Sequence, residues 1–236
     1  MLSIFNFAQN FNAIEWITRI IVLLVAFPIH ETAHGYIAYK LGDPTAKYQG
    51  RLTLNPIKHL DLIGTICMVL TGIGWAKPVP VNPSYFKNRK AGMAITAAAG
   101  PISNLLLGLI SIVLAKITIL IGGFLPAEVL VNGGFVSLLF QVLVQLFVFS
   151  TTINVALGIF NLIPVPPFDG SRILFYFLPE KYYFQIMRYE QFIFIGIFVI
   201  LFTGVLDVPL YYLNYGVLRF MDFITGFMGS LAGVIY

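Results

Sequence analysis

The stretch from Ile17 to His34 reads ITRIIVLLVAFPIHETAH, and the rest of the chain is read outward from it. It closes on His30-Glu31-Thr32-Ala33-His34, an H-E-x-x-H pattern. On a helix, residues four apart share a face, so both imidazoles can reach one metal ion. Glu31 then lies beside that ion, placed to take a proton from a metal-bound water. Ahead of the pattern, only Thr18, Arg19 and Pro28 interrupt the apolar run from Ile17 to Ile29. Ionisable groups at membrane depth are costly, so this cluster points to metal binding rather than to core packing.

Composition supports a membrane setting. Of 236 residues, 58% are hydrophobic and 10% charged, against about 25% charged in a soluble domain. The expectation is an integral membrane protein of several spans, with residues 1–236 forming a single domain. Within it, a catalytic core would cover about residues 13–172 and C-terminal helices about 190–236. The net charge of +4 fits membrane orientation better than nucleic-acid binding, so no nucleic-acid partner is expected. Cys67 is the only cysteine, which excludes an internal disulfide and a cysteine-based zinc site. No Lys or Arg precedes Arg19, so no cleaved signal peptide is expected.

The fold class predicted is an all-α polytopic protein with about five transmembrane helices, a re-entrant segment and a short β element. The spans fall roughly at Ala13–Leu41, Ala91–Ile121, Phe135–Ile163, Phe192–Leu206 and Tyr211–Tyr236. The spacing of Tyr48, Leu52 and Leu54 suits short strands. Leu62 to Trp75 is an apolar run of about 14 residues, below the ~20 that a span needs. Lys47, Arg51 and Lys58 precede it, and Lys77, Lys87, Arg89 and Lys90 follow it. Cytoplasmic loops hold the excess of Lys and Arg, so both flanks read as cytoplasmic and the run as re-entrant. The first span then descends from outside, which puts His30 and His34 nearer the cytoplasmic end. Asp169 follows a span that ends on that same side.

A catalytic zinc ordinarily takes three protein ligands and keeps one position for water. Two candidates stand out for the third place. His59 is the only other histidine, and Asp169 follows the proline-broken segment Asn161-Leu162-Ile163-Pro164-Val165-Pro166-Pro167-Phe168. Taken together, the His30–His34 pattern, Ala99-Gly100-Pro101-Ile102-Ser103-Asn104, and Asn161 with Pro164 and Asp169-Gly170 resemble the site-2 protease family of intramembrane zinc metalloproteases. Gly72-Ile73-Gly74 and Lys77-Pro78-Val79-Pro80-Val81-Asn82-Pro83 resemble its compact bacterial members, which lack PDZ and CBS domains. The likeness runs from about Phe27 to Arg172. Phe168 departs from it, Leu being the more usual neighbour of that Asp.

The resemblance implies a multi-pass protein of the cell membrane, with one Zn2+ per chain held by His30, His34 and Asp169. It implies Glu31 as general base and Asn161 as a residue that holds the scissile carbonyl or its oxyanion. The substrate implied is a single-span membrane protein, cut in or near its transmembrane segment within the lipid bilayer. Gly72 and Gly74 lie where a re-entrant edge could hold the unwound substrate strand. His59, beside Asp61, is a candidate for the water entrance, and an interfacial loop histidine is the competing reading. Glu128-Val129-Leu130-Val131-Asn132 matches formally the E-x-x-x-D/N pattern of another zinc protease class, but it falls in the predicted outer loop. The alternative function is a non-proteolytic metal-binding membrane protein, a transporter or a pseudoprotease. The near absence of polar residues in the spans after Asp169 speaks against the transporter, and the intact Glu31 against the pseudoprotease.

Overall fold

A computed structural model of the chain describes residues 13–61, 64, 76–131, 134–179, 186 and 188–229. Eight helices are defined among them: α1 Ala13–Lys40, α2 Thr45–Tyr48, α3 Arg89–Gly122, α4 Ala127–Val131, α5 Phe135–Asn161, α6 Asp169–Phe177, α7 Glu190–Thr203 and α8 Asp207–Ile224. Helices α1, α3 and α5 have 28, 34 and 27 residues. At 1.5 Å per residue even the shortest is about 40 Å long, more than the ~30 Å hydrocarbon thickness of a bilayer. They are the three candidate spans among the described residues.

These three helices pack on one another, with α3 between α1 and α5. The buried face of α3 includes Gly100, Asn104, Gly108, Ser111 and Ala115, small residues for the most part. Such a face lets backbones approach closely where lipid gives no hydrophobic drive to pack. At Gly108 an added Cβ would meet Thr151 O at 3.4 Å, so α5 lies directly against it. Asn88 starts α3, its side chain accepting from Ala91 N–H and satisfying a donor that the helix leaves open. The opposite surfaces are apolar and exposed, with Ile17, Ile20, Ile21 and Val25 on α1 and Ile95, Ile102, Leu106 and Ile110 on α3. A water-soluble monomer rarely shows such a belt, whereas a bilayer covers it.

The core continues into the C-terminal region. Leu218 and Met221 of α8 pack with Ile112 and Ala115 of α3 and Val155 and Ile159 of α5. Deep in this contact Lys116 Nζ sits 2.8 Å from Asp222 Oδ1, with the lysine 1% exposed and the aspartate 8%.

One expectation looks different in the structure, and two extend beyond the described residues. The apolar runs 192–206 and 211–236 contain α7, with 14 residues, and α8, with 18. Neither is among the three helices long and apolar enough to cross a membrane in the described residues, and the last expected span runs on into residues 230–236, which lie outside them. Gly204, in the left-handed region at φ 73°, ends α7. The strand pattern at Tyr48, Leu52 and Leu54 is not formed. Thr45–Tyr48 is a helical turn, and bends follow it. The only isolated bridge among the described residues pairs Leu60 with Ala76. The expected re-entrant run, with Gly72 and Gly74, lies outside the described residues apart from Gly64.

The segment after that run is tied down closely. Lys77 N–H donates to His59 O at 2.8 Å. Arg51 Nη2 donates to Lys77 O at 2.7 Å and to Pro78 O at 3.3 Å. Asn82 N–H donates to Asp43 Oδ2 at 2.7 Å. These bonds lay residues 77–82 alongside the motif end of α1.

Candidate metal centre and active site

Helix α1 places His30 and His34 one turn apart, and both are buried. Their Nε2 atoms are 3.0 Å apart. Asp169 opens α6, and its Oδ2 lies 3.2 Å from each of these nitrogens. The three atoms form a nearly equilateral triangle. A tetrahedral zinc with ligand bonds of about 2.0–2.1 Å sets its donor atoms about 3.3–3.4 Å apart, so the triangle is close to the size that one ion would draw together.

The hydrogen bonds behind the imidazoles point the same way. His34 Nδ1 lies 2.8 Å from Thr96 O, a carbonyl that can only accept. His30 Nδ1 meets Asn104 Oδ1. With protons on both Nδ1 atoms, both Nε2 atoms turn lone pairs toward Asp169. Its Oδ2 is buried and takes no hydrogen bond. An anion facing two imidazole nitrogens calls for a cation in the middle. The donor set, two imidazoles and one carboxylate, suits zinc.

Two glycines make the convergence sterically feasible. A Cβ on Gly100 would stand 2.4 Å from His34 Nε2 and 2.6 Å from His30 Cε1, so α3 passes behind the imidazoles only without a side chain there. A Cβ on Gly170 would stand 2.2 Å from Leu162 O, so the turn from α5 into α6 closes on a bare backbone. That turn returns Asp169 to the histidines. Its carboxylate also sits in the first turn of α6, where the helix dipole favours an anion.

Glu31 and Asn161 line the same cavity of 780 Å³ as the three candidate ligands, together with Arg172. Glu31 Oε2 accepts the N–H of Val79 at 2.8 Å, so the segment held by Arg51 in turn steadies the carboxylate. Asn161 Nδ2 donates to Leu157 O at 3.0 Å within its own helix. Ile197 and Leu201 of α7 close the apolar side of the cavity.

His59 is placed elsewhere. It is 1% exposed and is not among the residues lining the cavity. Its Nε2 lies 2.7 Å from Thr53 O, the carbonyl that also takes Thr32 Oγ1–H at 2.8 Å. His59 therefore braces the loop after α2 at the carbonyl through which Thr32 ties that loop to α1. Among the described residues, His30, His34 and Asp169 form the one cluster of potential metal ligands. Sequence reasoning assigned no role to Thr96, Val79 or Arg51. They act through backbone groups or on backbone groups, and residue type does not advertise such contacts. Asn104 did leave a trace, as an amide inside an apolar run.

A family model described as peptidase family M50 matches residues 18–204. The chain is 42% identical over 185 residues to the putative zinc metalloprotease YwhC of Bacillus subtilis, covering 78% of this chain and 79% of that one. It is 28% identical over 181 residues to the zinc metalloprotease MJ0392 of Methanocaldococcus jannaschii, covering 77% of this chain but 39% of the relative. It is 25% identical over 217 residues to the putative zinc metalloprotease Rip2 of Mycolicibacterium smegmatis, covering 89% and 76%. No solved structure matches the chain.

Proposed function

The chain belongs to peptidase family M50 and is a metalloprotease with the apolar helices of a membrane protein, and from that premise we propose that it hydrolyses a peptide bond in or near the transmembrane segment of a single-span substrate. The observation that carries the proposal is the meeting of His30, His34 and Asp169 against an apolar span, in one cavity with Glu31. One zinc per chain, held by those three residues, would supply the Lewis acidity that activates water and polarises the scissile carbonyl.

The remaining work falls to this chain's own side chains. Glu31 takes the proton of the attacking water and delivers it to the leaving amine nitrogen. Val79 N–H holds Oε2 of that carboxylate, and the side chain lines the cavity. Asn161, on the cavity wall, has a second N–H besides the one given to Leu157 O and can offer it to the carbonyl oxygen as charge builds there. Lys40, Lys47, Arg51, Lys58, Lys77, Lys87, Arg89 and Lys90 all lie in the segments around the motif end of α1. The positive-inside tendency supports an active site nearer the cytoplasmic face of the cell membrane.

The test is cleavage of a labelled single-span peptide by the purified protein in liposomes, with and without a metal chelator. Cleavage that the chelator stops and added zinc restores is the expected result. Full cleavage in the presence of chelator, or by a Glu31→Gln variant, would overturn the proposal.

A further inference from the structure

The bond to His30 is the first link of a longer relay. Asn104 Nδ2 donates to Asn154 Oδ1 at 2.8 Å, and both asparagines are fully buried. Asn154 Nδ2 donates to Ser150 O at 2.8 Å. A backbone carbonyl has no proton to give, so the Asn154 amide can face only one way. Its Oδ1 must then turn to Asn104, and Asn104 Oδ1 must turn to His30. The side branch is fixed in the same manner. Ser150 Oγ is 2.7 Å from Ser111 Oγ, which donates to Leu107 O at 2.7 Å. Backbone carbonyls thus set the polarity at both ends, and no flipped arrangement satisfies every group.

We infer that Asn104, oriented across the α3–α5 contact by Asn154 and the Ser150 carbonyl, is a positioning residue that holds His30 with its proton on Nδ1 and its Nε2 lone pair aimed at the metal. This inference rests on the metal-centre reading given above. It adds that the ligand on α1 is aimed by a helix that supplies no ligand. Interhelical amide bonds also hold spans together, and the unfolding control below separates that contribution from positioning. Groups that orient a ligating histidine ordinarily matter about 10–100-fold in metal affinity.

The experiment is zinc affinity by chelator competition, with thermal unfolding in detergent as the control, on wild type, Asn104→Leu, Asn104→Asp and Asn154→Leu. Cobalt-substituted spectra serve as a second readout. Asn104→Leu removes the acceptor for His30 and is expected to lower zinc affinity about 10–100-fold and to shift the cobalt bands. Asn104→Asp keeps that acceptor but loses the donor to Asn154. It is expected to hold zinc close to wild type even if it unfolds sooner, which a merely structural asparagine would not do. Asn154→Leu frees Asn104 to turn and is expected to weaken zinc less than Asn104→Leu does. Should Asn104→Leu fail to fold, the aspartate variant decides. Retained affinity there supports the inference, and affinity lost in proportion to stability overturns it. Wild-type affinity in a folded Asn104→Leu overturns it alone, while a wild-type chain that binds no zinc overturns it together with the metal-centre reading.

Discussion

Replacing Gly100 by Ala adds one methyl group and sets two effects of opposite sign against each other. The new Cβ would lie 2.4 Å from His34 Nε2, 2.5 Å from His34 Cε1 and 2.6 Å from His30 Cε1. Ordinary contacts begin near 3.5 Å, so the imidazoles or the helices must give by about 1 Å. The metal centre tolerates far less, because ligand distances hold to within about 0.2 Å. Zinc affinity is therefore expected to fall at least as far as on loss of an orienting partner, about 10–100-fold. Protein without metal behaves differently. There the imidazoles can swing away, and Ala is favoured over Gly in a helix by about 1 kcal/mol. The unfolding temperature of the metal-free variant should thus be equal to or above that of metal-free wild type, while the stabilisation that zinc confers is lost. Metal content, chelator competition and unfolding with and without zinc measure each part. A Gly100→Ala variant that binds zinc like wild type would refute the close approach of α3 to the histidines, and with it the account of why this glycine stands in the sequence.

Three further outcomes follow from the same geometry. Asp169→Ala should lose zinc, since one donor of three is gone, whereas His59→Ala should keep zinc and lose only loop stability; metal analysis of both variants checks this. Lys116→Met removes the cation buried against Asp222 and should destabilise by about 3–5 kcal/mol, with much of that recovered in Lys116→Met combined with Asp222→Leu, as read by unfolding in detergent. Cysteine probes at Lys58 and Lys87, with Cys67 replaced, should label from one side of the membrane; labelling from opposite faces would make the run between them a span and refute the re-entrant expectation.

Much of the site was legible because its parts are local. His30 and His34 are joined by one helical turn, and helix periodicity follows from covalent geometry alone. Asp169 announced itself through the prolines before it and the glycine after it, which mark a chain leaving a helix and turning sharply. The reasons for Gly100 and Gly170 were not legible, although both were quoted as part of recognisable segments. Each depends on an atom from a distant stretch, an imidazole nitrogen or the Leu162 carbonyl, coming within the space a Cβ would need. The strand expectation at Tyr48–Leu54 failed for a related reason. Alternating apolar residues describe a half-buried strand only where a partner edge is present, and here Arg51 is instead drawn inward by two carbonyls. Hydropathy marked two C-terminal apolar runs, but apolar content says nothing of where a helix stops, and Gly204 stops one after 14 residues. Asn104 lies between these cases. A buried amide in a bilayer needs a partner, so its presence foretold a contact. Its partner, His30, lies 74 residues away and could be named only once the crossing of α1 and α3 was known. The same crossing sets the two histidines of an apolar helix against the bare backbone at Gly100. The chemistry of this chain therefore resides in how α3 meets its neighbours as much as in the motif on α1.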